Sequence, residues 1–316
     1  MKPTVSKAPA SRQLSGELRQ RVLDLRRTHS LRRVAELTEL PLGTVKTLCS
    51  RSGAFRDNPG HRAMFTLPPI KESLNTEVSV PQLPPQQVVT GDKEVDAVLW
   101  LHSVIRTGQA ALIEKAMKAA ARIKTPLKEL EKRYTAYLVK AHPGSLFAAM
   151  SSFGFSDLES MAKRSVEKLA RRQEANARFG EEIFANTPAE QFCEDALAGV
   201  DDGENGWNLD EKQVDSVFDG HLALLPHTLS DCLHELTYWN ALYFLRHATA
   251  DCGDSSKEVQ ARDDFIFRRL ALIRARTATE AVAVFRYLSE SDRMDRAETE
   301  SILLNLIGAC GRNETL

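Results

Sequence analysis

Apolar side chains return at three- and four-residue intervals through most of residues 92–309, the spacing of one face of an α-helix. Val95, Val98, Leu99, His102 and Ile105 make one such stripe. Pro126 takes a first helical position after Thr125, ahead of Leu127, Leu130, Tyr134, Tyr137 and Leu138. Ser156–Glu159, Thr187–Glu190 and Thr277–Glu280 each fit a capping box, in which hydroxyl and carboxylate satisfy free backbone donors reciprocally. After Ser156, Leu158, Met161, Ala162, Val166 and Leu169 share one face, and Lys163, Arg164, Lys168, Arg171 and Arg172 the other. Residues 227–248 are the most apolar helix, and 258–275, 278–290 and 292–309 complete the set. No alternating β-branched run exceeds four residues and no Asn-Gly or Asp-Gly joins two such runs. The expected fold class is all-α.

Residues 14–53 carry a different, shorter pattern. Ser15 can cap a helix with Leu18, Val22 and Leu25 inward, and Ser30 a second over 31–37 with Val34, Ala35 and Leu37 inward. A turn over 38–42 containing Pro41 comes next. The third helix, 43–51, turns Val45 and Leu48 inward and presents Thr44, Lys46, Thr47, Ser50 and Arg51 outward. Helix, short turn, slim polar-faced helix is the helix-turn-helix pattern. Gly43 and Thr44 let the backbone approach phosphate at a helix N-terminus, where free N–H groups favour an anion. Lys46 and Arg51 suit guanine edges or phosphates, and Thr44 and Thr47 a thymine methyl or a phosphate. Arg32 and Arg33 suit backbone positioning, and Arg19, Arg26 and Arg27 long-range attraction.

Charge sharpens this picture. The chain of 316 residues has a net charge of −1, yet residues 1–71 carry +9 and residues 181–264 carry −15. A basic head on an acidic body is expected where one end meets a polyanion. Five of the thirteen prolines fall between Thr66 and Gly91, which reads as an extended linker, with a short ordered segment possible at 64–70. The expected organisation is a disordered arm (1–13), a helix-turn-helix domain (14–65), a Pro-rich linker (66–91) and a helical body for oligomerisation or partner binding (92–316).

The stretch LRRVAELTELPLGTVKTLCSRSG resembles the promoter-reading helix-turn-helix of bacterial sigma factors and is similar to the DNA-binding domains of resolvases and invertases. It also resembles small helix-turn-helix proteins of integrative conjugative elements and plasmids, through PLGTVKT, SRSGAFRDN and FTLPPI, over about residues 14–70. The resemblance implies sequence-specific binding of double-stranded DNA through Thr44, Lys46, Thr47, Ser50 and Arg51, and does not imply catalysis. Neither a DNA-melting sigma domain nor a serine-recombinase catalytic domain accompanies it, and the body resembles no named family.

Other constellations are weaker. His227, Cys232, His234, His247 and Cys252 lack metal-finger spacing, and His234-Glu235 lacks the second His of a metalloprotease helix. The pairs Glu194-Asp195, Asp201-Asp202 and Asp263-Asp264 diverge by about 100° on a helix. There is no phosphate loop, dinucleotide fingerprint or nucleophile elbow. Cysteines 49, 193, 232, 252 and 310 read as reduced thiols. The longest run free of Asp, Glu, Lys and Arg, 141–156, is too short for a bilayer, and no secretory signal opens the chain. The expectation is a cytoplasmic, nucleoid-associated DNA-binding protein. It has no catalytic residues, metal or cofactor, forms a homodimer through its body, and offers its acidic surface to a protein partner. Alternatives are an accessory factor of conjugation, replication or partition, and a DNA-targeted enzyme.

Overall fold

The computed structural model describes residues 15–53, 55–71, 82–145, 147–204 and 206–308. The arm expected over 1–13, linker residues 72–81, Cys310 and the side chain of Arg27 lie outside the described residues. Among those described the chain is all-helical, with one isolated antiparallel bridge, Asp202 to Leu209, and no strand. Among them, too, no helix is long and apolar enough to cross a membrane.

Contacts divide the chain into two units: residues 1–67, 186–241 and 254–316 in one, and 68–185 with 242–253 in the other. The sequence pattern places the division elsewhere, with 14–65 as one domain and 92–316 as another. Two physical facts account for the difference. The segment just after the head is buried in what was expected to be a separate body, and one long helix, Leu229–Thr249, contributes its two ends to different units.

In the first unit, α1 (Gly16–Thr28), α2 (Leu31–Thr38) and α3 (Leu42–Ser52) are succeeded by a short helix α4 (Pro59–Met64). In the second, α5 (Lys93–Ile105), α6 (Ala110–Ala120), α7 (Leu127–Ala141) and α8 (Leu158–Phe179) pack around Val98, Ile105, Leu130, Phe155 and Leu158. The first unit resumes with α9 (Pro188–Ala196), α10 (Glu211–Gly220) and α11 (Leu229–Thr249), whose last turns belong to the second unit. It ends with α12 (Lys257–Leu272), α13 (Ala278–Glu290) and α14 (Thr299–Leu306). Its core gathers Phe218, Leu236, Phe265, Phe267, Leu270 and Leu288.

Helix starts test the capping arguments residue by residue. Thr187 forms the full box: its hydroxyl accepts from the Glu190 N–H at 3.3 Å, and Glu190 accepts from the Thr187 N–H at 2.7 Å. Thr277 forms half of one, because the Glu280 carboxylate is taken by the N–H groups of Arg276 and Ser230. Ser156 caps nothing: Asp157 caps α8, and the Ser156 hydroxyl donates to Glu131 at 2.6 Å. Pro126 is the residue before α7 and not within it. The helix expected over 292–309 shortens to α14, after a turn in which Asp292 has φ 56°.

The described residues of the Pro-rich stretch, 66–71 and 82–91, lie outside any helix, and several are tied down within the second unit. Pro68 O accepts from Arg178 at 2.6 Å, Lys71 N donates to Ala177 O at 2.8 Å, and the Trp100 indole donates to Pro84 O at 2.8 Å. Asp96 accepts from the N–H and hydroxyl of Thr90, each at 2.8 Å.

At the α5–α6 joint, Gly108 has φ +72°, and a Cβ there would lie 2.5 Å from Ser165 O and 2.6 Å from Leu169 Cβ on α8. Both the left-handed backbone and the close approach require glycine. Gly108→Ala is expected to lower stability by about 1–3 kcal/mol, read as a shift of the denaturant midpoint for the second unit's transition.

Candidate nucleic-acid interface

The first three helices enclose a small core of their own. Val22, Val34 and Val45 are fully buried and Cys49 nearly so, with Leu23, Leu25, Leu31, Leu48 and Phe55 around them. Ser15 and Ser30 cap α1 and α2 by accepting from Leu18 N at 3.2 Å and Arg33 N at 3.3 Å. The link between α2 and α3 is Glu39–Leu40–Pro41, shorter than the expected 38–42. Glu39 turns the chain in the left-handed conformation, φ 54°, and Leu40 N returns to Ala35 O at 3.1 Å. Pro41 then starts α3, its carbonyl accepting from Thr44 N at 2.8 Å and Val45 N at 3.1 Å. The helical pattern alone did not single out Cys49, which shares the inner face of α3 with Val45. Burial pushes its thiol above the ordinary range, and Arg26 offsets this only in part.

On the opposite side, Gly43, Lys46, Thr47, Ser50 and Arg51 are exposed and Thr44 is half-buried. Positions 43, 47, 50 and 51 share one stripe, and no acidic residue occurs in α3. The Thr47 hydroxyl donates to Gly43 O at 2.9 Å, which leaves its methyl and lone pairs outward. Ser50 accepts from Arg56 at 3.3 Å, so Arg56, which the sequence pattern did not mark, joins this face. On α2, Arg32 and Arg33 are exposed, and Arg33 pairs with Glu36 at 2.9 Å. An exposed ion pair of this kind is weak, at roughly 0–1 kcal/mol, and would yield readily to a phosphate.

Beyond α3 the chain enters a charged clasp. Asn58 caps α4 and also gives its side-chain N–H groups to Ala223 O and Leu225 O, each at 2.9 Å. Its own N–H reaches the buried Asp231 of α11 at 2.9 Å. Arg62 donates to Asp231 at 2.8 Å and Ser230 at 2.7 Å, while Asp57 takes Arg62 at 3.0 Å and Arg276 at 2.9 Å. At the centre, Glu235 receives His61 Nε2 at 2.7 Å and Arg262 through Nε at 2.7 Å and Nη2 at 2.9 Å, all three side chains being fully buried. Phe65 and Phe218 approach the Arg262 guanidinium at 5.2 and 4.7 Å. A six-residue helix cannot hold itself in water; α4 exists because of these contacts.

None of His61, Asp231, Glu235 or Arg262 was identified from sequence as a partner of another. The available signal was two carboxylates at i and i+4 on the most apolar helix, and an arginine in step with Val259 and Phe265 on α12. The residues weighed for metal are dispersed. His227 N donates to Asp231, His234 meets Thr66 and the Arg62 carbonyl, His247 lies against Tyr243, and Cys232 is buried. Among the described residues no group of three His, Cys, Asp or Glu is placed to hold a metal. Two of the three acidic pairs are answered by arginine or lysine: Asp263 by Arg293, Asp264 by Arg296, and Asp202 by Lys257. The second candidate basic face, Lys163, Arg164, Lys168, Arg171 and Arg172 on α8, is exposed, with Arg171 over the Phe244 ring.

Burial alone would raise the Glu235 carboxyl, but Arg262 and His61 outweigh it and hold the group below its usual range. A folded value below the unfolded one, about 4.3, stabilises the fold above that pH. The contribution is lost as pH falls through the lowered value. Glu235→Gln, which strands Arg262, is expected to lose about 3–5 kcal/mol at neutral pH. Its stability should also fall less steeply than wild type below pH 4, as measured by denaturant unfolding across pH. Comparison with protein-family models, with curated proteins and with solved structures finds no match to this chain.

Proposed function

We propose that this chain is a sequence-specific DNA-binding protein, a transcriptional regulator encoded on a mobile element, that lays α3 in the major groove of duplex DNA. The observation that carries the reading is the exposed, acid-free face of α3. Thr47, Ser50 and Arg51 stand on it opposite the buried Val45 and Cys49, and the exposed Lys46 flanks it. A helix that reads base edges needs this division: cationic and hydroxylated groups toward the groove, and an apolar side that fixes its depth and rotation. Arg32 and Arg33, beside the Ser30-capped start of α2, would grip the flanking phosphates, where helix N–H groups also favour an anion. No catalytic role is assigned to the body, and the compartment that fits is the cytoplasm, at the nucleoid.

One such head contacts few base pairs and few phosphates, so alone it would bind weakly and with strong salt dependence. Two heads on one DNA, joined as a homodimer through the remainder of the chain, would raise the effective concentration without new contacts. DNA recovered from random pools by the full-length protein is expected to contain a half-site in two copies. Lys46→Ala and Arg51→Ala should each weaken that site by about 1–3 kcal/mol and relax preference at one position. Arg32→Ala should weaken all sequences alike and reduce the salt slope by about 1. Binding of random and selected DNA with equal strength would overturn the reading.

A further inference from the structure

Within the first unit lies a cavity of about 440 Å³ that DNA binding through α3 does not use, in the range of small-molecule sites. One wall is the end of α1 with the start of α2 and Phe55; the other is the loop before α11 and the joint between α12 and α13. Four arginines line it, Arg26, Arg269, Arg274 and Arg276, together with His227, and among the described residues no Asp or Glu does. The guanidiniums are held in place. Arg26 donates to His29 O at 2.9 Å and lies 5.5 Å from the Phe55 ring centre, Arg276 is gripped by Asp57 and Glu280, and Arg269 by Asp219. Between them the walls are apolar, with Leu31, Phe55 and Ile273.

Guanidiniums lining a half-apolar cleft select a ligand of matching division: an anionic head with an apolar body. The geometry points to this cavity as a binding site for a small organic anion, an aromatic or aliphatic carboxylate or phosphate monoester, that controls how the α1–α3 head is held. The ligand would bridge Arg26 and Phe55 of the head to Arg274 and Arg276 of the α12–α13 joint, and so bias the position of α3. This control of DNA binding rests on the proposed DNA-reading role of α3; the site itself does not. A DNA phosphate is the other source of an anion, but the apolar wall of Leu31, Phe55 and Ile273 has no counterpart in a sugar–phosphate chain.

The test uses the full chain and the fluorescent aromatic sulfonate 8-anilinonaphthalene-1-sulfonate, titrated without DNA, with benzoate and its neutral isostere benzamide as competitors. The probe is expected to bind one site per chain, and benzoate to displace it where benzamide does not. Arg26→Gln and the exposed Arg274→Gln should each weaken the probe about tenfold, with unchanged helicity and melting temperature, whereas Lys46→Ala leaves it unaltered. Equal displacement by benzamide, or unaltered binding in a folded Arg274→Gln protein, overturns the site. Displacement of the probe by a random-sequence duplex in the Lys46→Ala protein would identify a DNA phosphate as the occupant and overturn the small-molecule assignment. Saturating benzoate should shift affinity for the selected duplex at least threefold, and by reciprocity the duplex should shift benzoate equally. No shift overturns the control of DNA binding while the site stands. Probe binding without any selected duplex separates a failure of the DNA-reading role from a failure of the anion site.

Discussion

Glu235 is fully buried, and its two oxygens are shared by the imidazole of His61, the guanidinium of Arg262 and the indole of Trp239. Three ionisable groups in an apolar interior are costly unless each satisfies the others. That requirement fixes three separate pieces of chain at once: α4 after the head, α11 in the middle and α12 beyond it. Asp231, one turn before Glu235, repeats the device with Asn58 and Arg62. The three-helix head is therefore delivered to the rest of its unit by a rigid clasp a few residues after α3, where a flexible tether would leave it free. The proposed DNA-reading role and the proposed anion site would both draw on this connection, because a ligand at one wall is felt at the other only through packed contacts.

Charge distribution takes on a different meaning in three dimensions. The segment 181–264 carries −15 along the sequence, which suggested an acidic surface open to a basic partner. Part of that charge meets arginines supplied by the chain beyond it. Asp215 and Asp219 face Arg268 and Arg269, Asp263 faces Arg293, and Asp264 faces Arg296. These pairs are internal, while other acidic residues of the stretch, among them Glu181, Glu182, Asp195, Asp251 and Asp254, remain exposed. Among the described residues the basic face of α3 has no such acidic segment laid against it, and the contrast supports its assignment to an external anion.

The cavity beside the head arises from the same architecture. Docking α4 brings the end of α1 and the start of α2 up against the α12–α13 joint, where Arg276 grips Asp57; Arg276 and Arg269, the latter paired with Asp219 of α10, also line the space left over. The ion pairs orient them, while the apolar walls strengthen their attraction for an anion by excluding water.

The sequence by itself determined what depends on local spacing. The helical period identified α5 and α11 to within a few residues, and the starts of α7 and α8. The caps at Ser15, Ser30 and Thr187 were legible because a cap is a contact over three residues. The outward face of α3 was legible because Val45 defines the inward one. Tertiary structure decided what depends on distant partners. Ser156 looked like a cap until Glu131 took its hydroxyl, and the segment after residue 57 looked like the end of a head until Asp231 and Glu235 claimed it. His61 and Glu235 lie 174 positions apart. Periodicity says which residues share a face, but a buried histidine, glutamate or arginine on an apolar stripe gives no sign of its partner. The pairing is set by how the helices cross, and only the folded chain contains that information.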